Sequence, residues 1–298
     1  MEGNILAERK RRKLSRSQII LDICILLVVL LIWYVTETRK AAGAEVTEDS
    51  IEVHIIDVGQ ADCALVRTEN GNILIDAGSN DSEDDLCEYL DLFGVEKFEY
   101  CIFTHPHEDH IGGADRVLAE YEVENVIIPD VETNTSTYDR MMEAIEYSGA
   151  ALIYAEAGRQ YNLGELYIYI VAPVVIDSEH DLNNVSVMAV ISFGDMDFMF
   201  TGDAESTEES DVLSEGFDID CEFLKVGHHG SSTSTSKRFL EAVSPELAAI
   251  SCGKENSYGH PHTETLERLD RYGVEYYRTD TDGTLVFVCD GKTILKSN

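Results

Sequence analysis

A mixed α/β (α+β) fold is what the sequence predicts, on two observations. Short apolar runs of strand length recur through residues 51–298, closed by Gly, Asn and Asp turns and separated by helix-like stretches with capping residues. This strand-rich, helix-bearing pattern comes twice, and no repeat of solenoid period is visible. With 298 residues and 44% hydrophobic composition there is room for one large domain or two small ones, and global disorder is excluded.

The N-terminus differs in character. Residues 1–18 form a basic tail with Arg9-Lys10-Arg11-Arg12-Lys13 and Arg16, followed at 19–36 by an apolar run broken by Asp22 and ended by Trp33-Tyr34. Positive charge before an apolar segment with interfacial aromatics predicts a membrane-directed element with its N-terminus inside and the rest of the chain outside the cytoplasm. The uninterrupted part, Ile23 to Val35, is 13 residues, against the roughly 20 needed to span. Two readings therefore stand: a single-pass anchor starting at Ile19, with Asp22 at the interface, or a signal cleaved near Ala42-Gly43-Ala44 and a secreted product. Residues 37–50 read as a linker.

Residues 1–40 hold eight of the 22 basic and four of the 57 acidic residues, so the remainder carries 14 and 53, a balance near −39. Such a surface is soluble and repels polyanions, which counts against avid, sequence-independent binding of nucleic acid. Six of the seven cysteines lie beyond the apolar segment, widely spaced within strand-like runs, and read as buried free thiols.

Strands are expected at Ile51–Ile56, Ala64–Thr68 and Ile73–Ile75, with Glu69-Asn70-Gly71-Asn72 as a hairpin turn, giving an antiparallel meander that ends in Asp76-Ala77-Gly78. Ser82 before Glu83-Asp84-Asp85 signals a helix start, and the acidic cluster complements the helix dipole. The run Tyr100-Cys101-Ile102-Phe103 ends a buried strand and opens directly into Thr104-His105-Pro106-His107-Glu108-Asp109-His110-Ile111-Gly112-Gly113. A strand that stops in a Pro-containing loop exposes consecutive side chains in one small volume. His105 and His107 can then face one point, and Asp109 and His110 a neighbouring one, as two adjacent metal sites require. Imidazole and carboxylate suit zinc, and manganese where oxygen predominates.

A strand at Asn125–Ile128, a helix at Tyr138–Tyr147 and hairpin strands between Gln160 and Ala172 follow. The segment from Asn183 to Phe193 turns at Gly194-Asp195 into Met196–Phe200 and closes in Thr201-Gly202-Asp203, where a carboxylate just past a buried strand can bridge two cations. Phe223-Leu224-Lys225-Val226-Gly227 leads into His228-His229-Gly230, one of whose histidines completes the second site. After a helix at about Thr235–Val243 and a strand at Leu247–Ser251, Tyr258-Gly259-His260-Pro261-His262 precedes a helix capped by Thr263 and stopped by Gly273. His260 and His262 are candidate outer-shell groups or proton donors. Strands at Val274–Thr279 and Thr284–Val288 close the chain around Asp280-Thr281-Asp282-Gly283, which is turn chemistry lacking the ligand ladder of a calcium loop.

HPHEDH followed by IGG resembles the signature of the metallo-β-lactamase superfamily. DVGQADCALV, ILIDAG, THPHEDHIGG, NNVSVMAV, FTGD, LKVGHHGS and YGHPH together resemble the extracytoplasmic hydrolase domain of ComEC-type DNA-uptake proteins over residues 51–298. The resemblance implies a four-layer αββα sandwich, with two metals at one edge between the sheets, and nuclease-like activity. This chain lacks the many spans of a DNA channel, so transport does not carry over. Many superfamily members also place a third histidine of the first site shortly before the bridging Asp. Here Asn183, Asn184 and Ser186 stand in the motif and His180 just ahead of it, which opens the case for manganese or for one firmly held ion.

The expected activity is metal-assisted hydrolysis by two divalent ions, zinc or manganese, about 3.5 to 4 Å apart. His105, His107 and Asp203 would hold one ion; Asp109, His110, Asp203 and His228 or His229 would hold the other. Asp109, His260, His262 and Lys225 are the catalytic candidates, Lys225 as a positive contact for an anionic transition state. An anionic ester or phosphodiester is the expected substrate, with nucleic acid disfavoured by the acidic surface. Lactone or thioester hydrolysis is the alternative on the same centre and predicts an apolar pocket; a non-catalytic surface binding module is disfavoured by the intact HxHxDH. Protein partners are not legible.

Overall fold

The computed structural model describes residues 25–27, 46, 47, 49–176 and 181–297. Two compact units divide the chain, Met1–Ala44 and Glu45–Asn298. In the first, residues 25–27 are helical and exposed; the rest of the expected anchor or signal segment lies outside the described residues. Among the described residues no helix is long and apolar enough to cross a membrane.

Two sheets form the second unit. The meander β1 (Ile51–Ile55), β2 (Ala64–Thr68) and β3 (Gly71–Ile75) runs antiparallel, and β4 (Lys97–Ile102), β5 (Glu122–Ile128) and β6 (Ala151–Tyr154) add on in parallel. Between them lie α1 (Glu83–Leu92), α2 (Glu108–Ile111), α3 (Ala114–Glu120) and α4 (Ser136–Ser148). The second sheet repeats the plan. An antiparallel set, β7 (Gln160–Leu163), β8 (Leu166–Ala172), β9 (Met188–Phe193) and β10 (Met196–Phe200), is followed by parallel β11 (Phe223–Lys225), β12 (Leu247–Ile250) and β13 (Glu275–Arg278). Helices α5 (Ser206–Glu215), α6 (Lys237–Val243) and α7 (Thr263–Tyr272) make its crossovers. After the short α8 (Thr279–Asp282), strands β14 (Leu285–Cys289) and β15 (Ile294–Lys296) return to the first sheet, where β14 pairs with β1.

Alternation assigns the layers. Ile73 and Ile75 face the space between the sheets with Ile102, Ile191, Phe198, Phe200, Phe223 and Phe287. Leu74, one residue out of step, faces the opposite side and meets Leu86, Leu90, Val117 and Met141 of the helices. On the second sheet Met199 and Leu224 turn outward onto Val212, Phe239, Leu240 and Leu269. Three apolar layers between two sheets and two helical coats make an αββα sandwich, and strands covered on both faces read as continuous apolar runs. All six cysteines of this unit are free and buried.

Details differ from the sequence expectation. Strands β6 and β15 carry no clear apolar alternation and escape notice; β6 has neither end residue buried. The cap of α7 is His262, with Thr263 already helical, although Gly273 ends it in the left-handed region as expected. The Asp280–Asp282 segment is the helical turn α8, closed by an Arg278–Asp280 pair.

Candidate metal centre

Equivalent strand ends of the two sheets supply the site. In parallel register Ile75 lies beside Ile102 and Phe200 beside Lys225, so the residues just past β3 and β4, and past β10 and β11, converge at one edge of the sandwich. The loop after β4 is tied down by its backbone: Asp62 N–H donates to the Asp109 carbonyl, Ala77 N–H to that of His110, and Gly112 N–H to that of Gly78. Gly112 is required here, because a Cβ would lie 2.2 Å from the Asn80 nitrogen.

His105 and His110 are fully buried, and His107 and Asp109 partly so. His105 Nε2 faces His107 Nδ1 at 2.9 Å and lies 3.9 Å from Asp203 Oδ2. On the other side of the same carboxylate, His110 Nε2 is 3.2 Å and His229 Nε2 3.8 Å from Oδ1, with His229 Nε2 also 3.3 Å from Asp109 Oδ2. Two groups thus have ligand atoms within 4.8 Å of one another, His105–His107–Asp203 and Asp109–His110–Asp203–His229, and Asp203 is common to both. His110 Nε2 and Asp203 Oδ1 are buried without a hydrogen bond. Orphaned buried atoms of this kind are costly unless a cation takes them, so nitrogen and carboxylate donors converging here fit divalent metals.

The choice between the adjacent histidines falls on His229. Both have positive φ, 51° and 54°, a strained conformation for non-glycine residues that turns the two rings apart. His229 is buried in the second group; His228 sits at the cavity wall, its Nε2 3.6 Å from Asp203 Oδ2 and its Nδ1 3.2 Å from Glu205. In the 183–186 segment, Asn183 lines the cavity, Asn184 accepts from Glu208 N–H, and Ser186 Oγ accepts from Asp203 N–H. His180 lies outside the described residues.

Two carboxylates outside the sequence-derived ligand set orient the imidazoles. Asp76 accepts from His110 Nδ1 at 2.7 Å and from the Thr104 N–H and hydroxyl at 2.7 and 2.8 Å, which aims His110 Nε2 at Asp203. Asp62 lies 3.4 Å from His229 Nδ1, which donates to the Ser251 carbonyl at 3.1 Å, so His229 Nε2 faces the group. The same signal that marked Asp203, a carboxylate just past an apolar strand, would have found Asp76.

Electrostatics follow from this packing. Burial alone would raise the Asp203 carboxyl, but His110 and His229 hold it well below the usual range. Burial disfavours charge on His110 as well, yet Asp203 and Asp76 raise it; on His229, Asp203 and Asp62 outweigh burial and push it up to about 10. Burial and the neighbouring His110 keep His105 neutral. Asp109, opposed by burial, is lowered to about 2 through its bond to His229.

The remaining candidates separate. His260 lines the cavity beside Asp203 and His229, and burial with the neighbouring imidazoles lowers it to about 4. His262 is placed elsewhere: its Nδ1 accepts from Ser232 N–H and its Nε2 lies 3.3 Å from the Tyr258 carbonyl, a staple between two loops. Lys225 corrects the expectation of a substrate contact. Its ammonium is buried, 2.8 Å from Asp62 Oδ2, and donates also to the Val226 carbonyl. Gln60, Glu108, Asn183, His228 and Tyr258 complete the wall of a cavity of about 500 Å³.

The family model of the metallo-beta-lactamase superfamily matches residues 56–254, and the chain belongs to that superfamily. Its relatives within the superfamily include competence proteins of ComEC type. The chain is 29% identical to ComE operon protein 3 of Bacillus subtilis over 95% of its length and 37% of the relative's. It is 31% identical to competence protein ComA of Neisseria gonorrhoeae over 87% and 35%, and 30% identical to recombination protein 2 of Haemophilus influenzae over 80% and 29%. It thus spans about a third of the length of the curated relatives it matches. Among solved structures, the metallo-beta-lactamase fold protein YhfI from Bacillus subtilis superposes with TM-score 0.55 at 13% identity, covering 81% of this chain and all of that one. CmlA, a diiron beta-hydroxylase from Streptomyces venezuelae, gives 0.51 at 14%, covering 77% and 53%, and both share the fold alone.

Proposed function

We propose that this protein is a metal-dependent phosphodiester hydrolase of the cell envelope, tethered by residues 19–36 with the catalytic unit outside the cytoplasm. The observation that carries the reaction is the polar cavity whose floor is two ligand groups joined by Asp203. Among the described residues every side chain that lines it carries a polar group and none is aliphatic, which favours a substrate that offers hydrogen-bonding oxygens along its length.

Charge supports an anionic substrate. Glu108, Asp109 and Asp203 face the cavity and Asp76 lies behind His110, so two divalent ions would offset these carboxylates and present the cationic centres of the floor directly to a phosphodiester oxygen. The acidic exterior slows the approach of a long polyanion, while the loaded floor attracts a single phosphodiester. When bound, divalent ions at these positions would supply Lewis acidity and an activated water; imidazole and carboxylate suit zinc in both groups, and the two carboxylates of the second also admit manganese. Asp203 would contribute to both positions, Asp76 and Asp62 orient the imidazoles, and His228, His260 and Asn183 present polar groups to the substrate.

The competence relatives support nucleic acid as one source of that phosphodiester, and the sequence supports the location through its basic tail and apolar run. The test uses the full chain in detergent, stripped by a chelator and reloaded with zinc or manganese. It is assayed on a chromogenic phosphodiester, single-stranded DNA and a lactone. Metal-dependent diester cleavage is expected; lactone turnover without diester turnover refutes the proposal.

A further inference from the structure

Gln60, in the loop between β1 and β2, meets His260, 200 residues away in sequence, at the cavity wall. Its amide is oriented by the backbone: Gly253 N–H donates to Gln60 Oε1 at 2.9 Å. The approach is built in, since a Cβ at Gly253 would lie 2.7 Å from the Gln60 nitrogen. With its oxygen engaged, the amide turns its NH2 toward His260 Nδ1 at 3.5 Å. An NH2 group offers only hydrogens, so Nδ1 presents its lone pair and the imidazole proton sits on Nε2.

The rest of the His260 residue is equally fixed. Asn256 accepts from His260 N–H at 3.0 Å and donates to its carbonyl at 2.6 Å. The ring lies near-parallel to His229 and to Tyr258, at 6.1 and 5.6 Å with interplanar angles of 24°. Among the described residues Nε2 has no hydrogen-bond partner, and the ring lines the cavity. A nitrogen that carries a proton has no lone pair for a metal, so this imidazole is built to donate.

We propose that Gln60 is a positioning residue that locks His260 in the Nε2–H tautomer, making His260 a neutral hydrogen-bond donor to a phosphodiester oxygen and not a further metal ligand. The donor role rests on the phosphodiester reading above; the tautomer does not. No proton is transferred: the bond strengthens as negative charge grows on the oxygen.

The experiment uses the full chain loaded with zinc and labelled with 15N in its histidine rings. A long-range proton–nitrogen spectrum reads each tautomer, and bis(p-nitrophenyl) phosphate reads turnover. In the parent protein His260 carries its proton on Nε2. Gln60→Glu keeps an acceptor for Gly253 N–H but turns a second oxygen toward the ring. It moves the proton to Nδ1 and lowers kcat by on the order of tenfold or more, with zinc content unchanged. Gln60→Met, which cannot donate to the ring, gives mixed tautomers and guards against a folding defect in the first variant. His260→Ala loses on the order of 100-fold in kcat, and His260→Gln, which keeps an N–H, recovers part of it.

A parent proton on Nδ1, a reversed tautomer with unchanged kcat, or zinc lost in His260→Ala would each overturn the inference. A parent enzyme that cleaves no diester would overturn the functional proposal and the donor role with it, while the spectrum still decides the tautomer.

Discussion

Replacing Lys225 with Met separates a substrate contact from a structural charge. Lys225 and Asp62 are 3% and 4% exposed with their charged groups 2.8 Å apart, so the substitution leaves a buried anion whose remaining cationic neighbours are imidazoles, His229 at 3.4 Å and His110. Breaking one side of such a pair costs about 3–5 kcal/mol. For a chain of this size that is a fall in Tm of roughly 6–20 °C. Removing both charges, as in Lys225→Met with Asp62→Leu, should bring stability back to within about 1–2 kcal/mol of the parent, because the desolvation cost goes with the charges.

The sign with pH is fixed by Asp62. Burial would raise its carboxyl, but Lys225 and then His229 depress it strongly. A depressed carboxyl contributes stability that is complete above its unfolded value of about 4 and lost as pH falls through the folded one. The gap between parent and Lys225→Met should therefore be full at pH 7 and shrink below about pH 4. Thermal unfolding followed by circular dichroism from pH 3 to 8 measures it, alongside phosphodiester hydrolysis. A variant that melts within about 2 °C of the parent yet loses turnover would refute the buried-pair reading and return Lys225 to the substrate.

Asp203→Ala should abolish both metal uptake and turnover, and retention of either at parental level contradicts the bridging assignment. Asp76→Asn keeps an acceptor for Thr104 N–H but turns an amide toward His110 Nδ1. Metal affinity should fall by about 10–100-fold in competition with a chromophoric chelator, and an unchanged constant removes Asp76 from the centre. His229 keeps its proton up to about pH 10, and His110 is raised too, so metal uptake at pH 7 must release protons and affinity must climb with pH toward that value. Calorimetry in buffers of different ionisation enthalpy reads that release, and its absence would show the rings already neutral.

How much was legible depended on distance along the chain. The histidines of HPHEDH declare themselves because six consecutive residues carry the ligands, and Asp203 because a carboxylate ends an apolar strand. The strand-and-helix plan was readable from alternation and caps, since most strands are covered on both faces. Asp62 was not readable, because its meaning comes from Lys225, 163 residues later, and only the pairing of two sheets brings them together. Lys225 misled for the same reason: a lysine at a strand end is usually solvated. His228 and His229 are identical to a one-dimensional reading and are distinguished by a backbone twist. His262 stands beside His260 in sequence, but the start of α7 turns it toward Ser232.

The return of β14 to the first sheet bears on how the chain matures. Ile51 pairs with Cys289 and Ile55 with Leu285, so the outer edge of β1 waits for nearly the whole polypeptide before it is covered. Neither half carries a full ligand set, because His105 to His110 end strand β4 while Asp203 and His229 follow β10 and β11. A complete ligand set therefore exists only once both halves are in place. Until then the outer edge of β1, on the far side of the meander from the histidines that follow β4, is an unpaired strand edge open to wrong pairing.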